Sequence, residues 1–163
     1  MLGIYLYPWW KFLHVLSVLG FVLFHGVSIL VAIRLRTERD RTRIAELLQF
    51  SGSAVIGMYV SLLALIVFGV VTAFSINAWG FWWIWISIAL LVVTIGEMTG
   101  VARPYYQSLK DAIQLRPSGV PRKSDEELDQ LLRSGAALFN AVWGIVALVV
   151  IAWLMVYKPL WHI

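Results

Sequence analysis

Residues 12–33 read FLHVLSVLGFVLFHGVSILVAI, and residues 34–43 that follow read RLRTERDRTR. The first stretch holds no acid, lysine or arginine. It is long enough to cross a bilayer, because a transmembrane helix needs about 20 mostly apolar residues. The second carries Arg34, Arg36, Arg39, Arg41 and Arg43. A cleavable signal has a shorter apolar core, about 7–15 residues, and a small-residue cleavage site where this chain has arginine. The run therefore reads as a retained helix. Its apolar residues are continuous rather than alternating, which excludes a barrel strand.

Three further runs share this character: residues 54–74, 81–100 and 136–157. The expected architecture is all-α, a polytopic antiparallel bundle of four transmembrane helices. It forms one transmembrane domain over residues 1–163, with connecting segments 34–53 and 101–135. Composition agrees. Of 163 residues, 61% are hydrophobic and 13% charged, and the mean hydropathy is +0.83. Soluble domains carry roughly 45–50% apolar and about 25% charged residues, so a soluble domain is excluded. The absence of cysteine removes disulfides, thiolate metal sites and cysteine nucleophiles.

Lysine and arginine orient the helices, since cytoplasmic loops carry the excess of positive charge. Eleven of the 13 basic residues fall in segments 34–53 and 101–135, while only Lys11 and Lys158 lie on the other side. Both long loops are therefore expected in the cytoplasm and both termini outside, in a membrane best matched by the bacterial plasma membrane. Tryptophan favours the membrane–water interface. Trp9, Trp10, Trp79, Trp82, Trp83, Trp85, Trp153 and Trp161 fall near the outer ends, and only Trp143 towards the inner one.

The loops read as short cytoplasmic helical extensions. Ser124-Asp-Glu-Glu127 is a capping-box pattern, and Leu128, Leu131 and Leu132 continue it at helical spacing. This helix is expected to run on into the fourth span, with Gly135 at the membrane entry. Ile44, Leu47 and Leu48 place the start of the second helix near Asp40. Pro104 is expected to break the third helix, leaving 105–115 as a short interfacial helix. Arg116-Pro-Ser-Gly-Val-Pro121 is turn material. Small residues mark where helices meet, because lipid supplies no hydrophobic drive for association. Such stripes are Gly57, Ser61 and Ala64 in the second span, and Ala137, Asn140, Ala141, Gly144 and Ala147 in the fourth.

Few polar groups enter the spans. His14 and His25 differ by only about 20° around a helix and about 16 Å along it, so both are expected to face protein. Either is a candidate axial ligand for haem or another tetrapyrrole, and a simple hydrogen bond to a neighbouring helix serves equally well. His14, Met155 and His162 on the outer side form a weaker copper set, since thioether and imidazole suit Cu(I). Glu97 is the one acid well inside a span, a candidate to relay protons or face a quinone, and is expected to pair with Arg34 or Arg103. Asn140 is expected to hydrogen-bond across helices. No phosphate loop, HExxH or nucleophile–base set is present, and the loop arginines need no nucleic acid.

Lys11-Phe-Leu-His14-Val-Leu resembles the opening of several small four-helix membrane families. These are the copper-resistance D-like proteins, the haem-containing four-helix protoporphyrinogen oxidases, and related integral membrane proteins of unknown function. Phe21 holds the aromatic position seven residues after the histidine, whereas Leu23 and Phe24 stand where small residues are usual. The resemblance to the oxidases implies that His14 is a haem ligand. Taken together, the sequence is expected to encode a non-catalytic accessory or scaffold subunit of a larger redox or energy-converting membrane complex. Its partners would be the lipid bilayer and other membrane subunits or further copies of itself. Tetrapyrrole binding through His14 or His25 is the alternative, and copper or small-solute transport the third.

Overall fold

The computed structural model describes residues 2–159, with side chains from Tyr5 to Pro159. Six α-helices follow in order: α1 (Leu2–Leu35), α2 (Arg41–Ser75), α3 (Trp82–Glu97), α4 (Arg103–Ile113), α5 (Asp125–Leu132) and α6 (Gly135–Tyr157). A 3₁₀ turn, Ala78–Gly80, precedes α3, and a π-helical segment, Met98–Ala102, joins α3 to α4. Four stretches are long and apolar enough to cross a membrane: Tyr5–Leu35, Arg41–Ser75, Trp82–Ile113 and Asp125–Tyr157. Each covers one of the runs read from the sequence, short only of Phe81 in the third, and extends beyond it at one end or both.

Local chemistry explains most boundaries. The side chain of Asp40 accepts from the Thr42 amide at 2.8 Å and starts α2. Glu38, just before it, accepts from the Arg39 and Asp40 amides at 3.0 and 3.2 Å. Those bonds to the charged form hold its carboxyl below the usual range. At α5 the capping box closes in both directions: Glu127 N–H to Ser124 Oγ, 3.2 Å, and Ser124 N–H to Glu127 Oε2, 2.9 Å. Ser124→Ala is expected to cost about 1 kcal/mol and to fray α5, read as faster amide exchange over residues 125–132. Gly119 sits at φ +80°, a backbone that glycine adopts without a Cβ penalty. It closes the 116–119 turn through a 2.9 Å bond to the Arg116 carbonyl.

Two boundaries differ from the sequence reading. Pro104 does not break the third helix: the chain stays helical through it. Proline lacks an N–H and crowds the carbonyl four residues earlier. The wider turn of the π segment just before it, and its place at the start of α4, accommodate both defects. Conversely, α5 does not run on into α6. Arg133 and Ser134 interrupt it, with Ser134 extended at ψ 148°. Serine and glycine are both weaker helix formers than alanine, and the freed Ser134 carbonyl accepts from the Arg36 guanidinium at 3.0 Å.

α1 packs mainly on α2, and α3 mainly on α6. The α1–α2 register descends on one helix as it climbs on the other. Trp10 stacks on Phe68 with ring centroids 6.2 Å apart, His14 bonds the Leu65 carbonyl, Gly20 faces Ser61, and Phe24 lies over Gly57. Three apolar clusters hold the molecule. Ala73, Ala78, Trp83, Ile84 and Leu154 close the tryptophan-rich end. Phe21, Met58 and Leu62 lie in the middle. The largest cluster is at the arginine-rich end, where Leu35, Ile44, Leu48, Tyr105, Leu109, Leu128, Leu132 and Ala137 meet from five helices. The four largest side chains removed completely from the surface, Leu35, Ile44, Leu109 and Leu132, all belong to it.

Candidate functional site

Between the middle cluster and the arginine-end cluster the helices separate. A cavity of about 560 Å³ opens there, lined from α1, α2, the α3–π–α4 rod and α6. It has the size range of a small-ligand site, roughly 300–1,000 Å³. Its walls are largely apolar: Ile29, Leu48, Val55, Met58, Met98 and Ala141 among others. Its polar side chains come from two levels. His25, Ser28, Ser51, Tyr59, Glu97 and Asn140 come from the long apolar helices, while Arg103, Tyr106, Gln107 and Lys110 come from α4.

His25 is 9% exposed. Phe21, one turn earlier, stacks on its ring at 5.7 Å and 7°. The opposite constraint comes from α6. A Cβ built at Gly144 would collide with His25 Nε2, so only glycine lets the ring lie against that helix. Nε2 is buried and has no hydrogen-bond partner among the described residues. Asn140, one turn from Gly144 on the same helix, has both amide atoms buried and unpartnered, and Glu97 has a buried, unpartnered Oε1. Such groups are uncommon, since an unmet buried donor or acceptor costs about 1–3 kcal/mol.

These placements revise two expectations. Glu97 makes no ion pair with Arg34 or Arg103. Arg34 is exposed, and Arg103 lies six positions along a rod that includes the π segment, so it lines the same cavity without reaching the carboxylate. Among the described residues Asn140 makes no interhelical bond, because it lies at the cavity where the helix pairs part. Glu97→Leu is expected to stabilise the fold by about 1 kcal/mol, read as a higher midpoint of reversible unfolding in mixed micelles. Stability given up at one position in this way is usual where a site is needed.

The remaining candidates lie elsewhere. His14 Nδ1 is 3.0 Å from the Leu65 carbonyl, and its ring covers Gly69. Although the two histidines share a stripe on α1, one meets α2 and the other α6. Met155 packs with the cluster at the tryptophan-rich end. His162 lies outside the described residues. Among the described residues, no group of three or more His, Cys, Asp or Glu could hold a metal ion.

The resemblance to haem proteins can be tested on the rings themselves. A carbonyl only accepts, so His14 must donate from Nδ1, which leaves Nε2 with its lone pair free. This is the arrangement of a ligating histidine fixed by its second nitrogen. In the neutral ring, the free Nε2 of His14 is therefore the kind of donor a tetrapyrrole metal takes. His25 does not fit, because its Nε2 is turned into Gly144.

Sequence reasoning missed Arg41, counted only as a positive charge. Its guanidinium bonds the Asp125 carboxylate at 2.6 Å and the carbonyls of Ala112 and Lys123 at 3.0 and 2.9 Å. Its position right after the α2 N-cap was the only local signal. Comparison with protein-family models, curated proteins and solved structures finds no match to this chain.

Proposed function

We propose that the chain is an antiparallel four-span membrane bundle, with both termini outside and both basic connections in the cytoplasm. It serves as a non-catalytic accessory subunit of a larger membrane assembly and holds a small ligand between its two helix pairs. The observation that carries this reading is the cavity lined by Glu97 and Asn140, whose side chains hold buried, unpartnered polar atoms. A binding site is where unmet hydrogen-bonding capacity is retained.

Mild solubilisation from the native membrane, followed by native mass spectrometry, tests both halves. The expected result is a stoichiometric complex with larger membrane subunits and a retained small molecule. A chain that runs alone and empty would overturn the reading. Orientation is tested separately with single cysteines at Asn77 and Ser118. A membrane-impermeant maleimide applied from outside is expected to label the first and spare the second.

A second reading is favoured by the His14–Leu65 bond. It leaves Nε2 available to a tetrapyrrole iron, which would supply one-electron redox chemistry, while the chain's part is to fix the imidazole tautomer and its orientation. A Soret band lost in His14→Ala and kept in His25→Ala is the expected signature of that reading.

A further inference from the structure

We propose that the cavity between the α1–α2 and α3–α6 pairs takes the headgroup of a lipid-soluble quinone or its quinol, with Asn140 and Glu97 as its hydrogen-bonding partners. This rests on the ligand-binding reading above and names the class of ligand.

Asn140 offers both donors and an acceptor, and Glu97 offers a carboxyl, on adjacent helices of the same cavity. An acyl chain brings neither donor nor acceptor, so a fatty acid or phospholipid tail in this position would leave all of them unsatisfied. A small soluble anion would be drawn to Arg103 and Lys110 but repelled by Glu97. A metal ion finds no group of three ionisable ligands among the described residues. What remains is an uncharged molecule with an apolar body and oxygens that accept in one form and donate in another. A quinone has carbonyl oxygens that accept from the Asn140 amide. A quinol has hydroxyls that donate to the Glu97 carboxylate and to the Asn140 oxygen. The walls suit a flat ring with an apolar tail. Met58 and Met98 face the cavity, and methionine adapts its unbranched chain to irregular contacts and favours aromatic edges. Such a ligand arrives through lipid, and the seam between the two helix pairs lies within the spans.

The test uses the full chain in nanodiscs of zwitterionic lipid. A decyl-substituted benzoquinone, its quinol and phosphatidylglycerol are titrated separately by native mass spectrometry. The expected result is one saturable adduct with both benzoquinone forms. Asn140→Leu is expected to weaken both forms at least tenfold. Glu97→Leu is expected to weaken the quinol at least tenfold and the quinone much less, because only the quinol has a hydroxyl to donate. An azido-substituted benzoquinone on the unmodified protein gives a readout independent of variant folding, with cross-links expected at Met58 or Met98. Equal binding by the wild type and both variants, or cross-links confined to the outer faces of the helices, would overturn the proposal. Saturable binding of phosphatidylglycerol alone, lost in Lys110→Ala, would overturn the quinone assignment and leave the ligand-binding reading standing. Binding of neither class would overturn both.

Discussion

Gly144→Ala is expected to destabilise the protein by about 1–3 kcal/mol, the range for forcing one methyl group into a packed site. The new Cβ would occupy the space of His25 Nε2. The ring has no easy retreat, because Phe21 stacks on its face and the residue is buried. Either the imidazole leaves its rotamer or α6 moves away from α1. Reversible unfolding in mixed micelles, followed by tryptophan fluorescence, measures the loss. His25→Ala placed in the Gly144→Ala background is expected to recover about half or more of it, since the colliding atoms are gone; coupling between touching residues commonly reaches about 0.5–3 kcal/mol. Strict additivity of the two changes would mean that α1 and α6 do not meet at these positions.

Arg41→Ala is the second large effect, expected at about 2 kcal/mol, because hydrogen bonds to charged groups contribute about 1.5–3 kcal/mol and part of the site is wet. One guanidinium ties three segments: the end of α4 through Ala112, the 114–124 connection through Lys123, and the start of α5 through Asp125. Its side chain is 23% exposed, against 88% for Asp125, so most of the loss should come from the two carbonyls rather than from the ion pair. Limited proteolysis is expected to cut within residues 114–124 far faster in the variant. Arg41→Lys should rescue little, since an ammonium cannot fork to three acceptors in fixed directions. Neighbouring Arg43 is 65% exposed with a 3.9 Å ion pair, and Arg43→Ala should change proteolysis hardly at all.

The contrast between these two arginines shows what was legible in the sequence. Both read as loop charges that orient a helix, and only the place of Arg41 right after the Asp40 cap distinguishes them locally. Short-range chemistry read well. Asp40 starts α2, Ser124 and Glu127 cap α5, and Ala137, Ala141, Gly144 and Ala147 are buried as their spacing predicts. In each case the cause lies within a turn or two of the residue. Glu97, Asn140 and Pro104 read poorly for the opposite reason. Glu97 finds no arginine because Arg34 is exposed and Arg103 lies six positions on along the same rod, and Asn140 lies where the helix pairs part; both outcomes depend on how separate elements pack. Pro104 is tolerated because of the π segment before it, which carries no recognisable local pattern. The cavity was invisible as a unit: its polar residues come from α1, α2, α3, α4 and α6, more than a hundred positions apart at the extremes.

The position of the largest cluster carries a consequence for how the molecule responds to its surroundings. Leu35, Ile44, Leu109 and Leu132 are sealed together just beyond the apolar runs, where the alternative to burial is water rather than lipid. Only there does folding release an apolar hydration shell, so only there should unfolding raise the heat capacity appreciably. The spans gain almost nothing from that source. Chaotropes, which act on exposed apolar and peptide groups, should therefore melt this knot first, with the spans remaining helical in the bilayer as four loosely tethered rods. Calorimetry would see a small transition whose size reflects a mini-domain of five helix ends, and osmolytes excluded from protein surfaces should shift it upward without touching the rest.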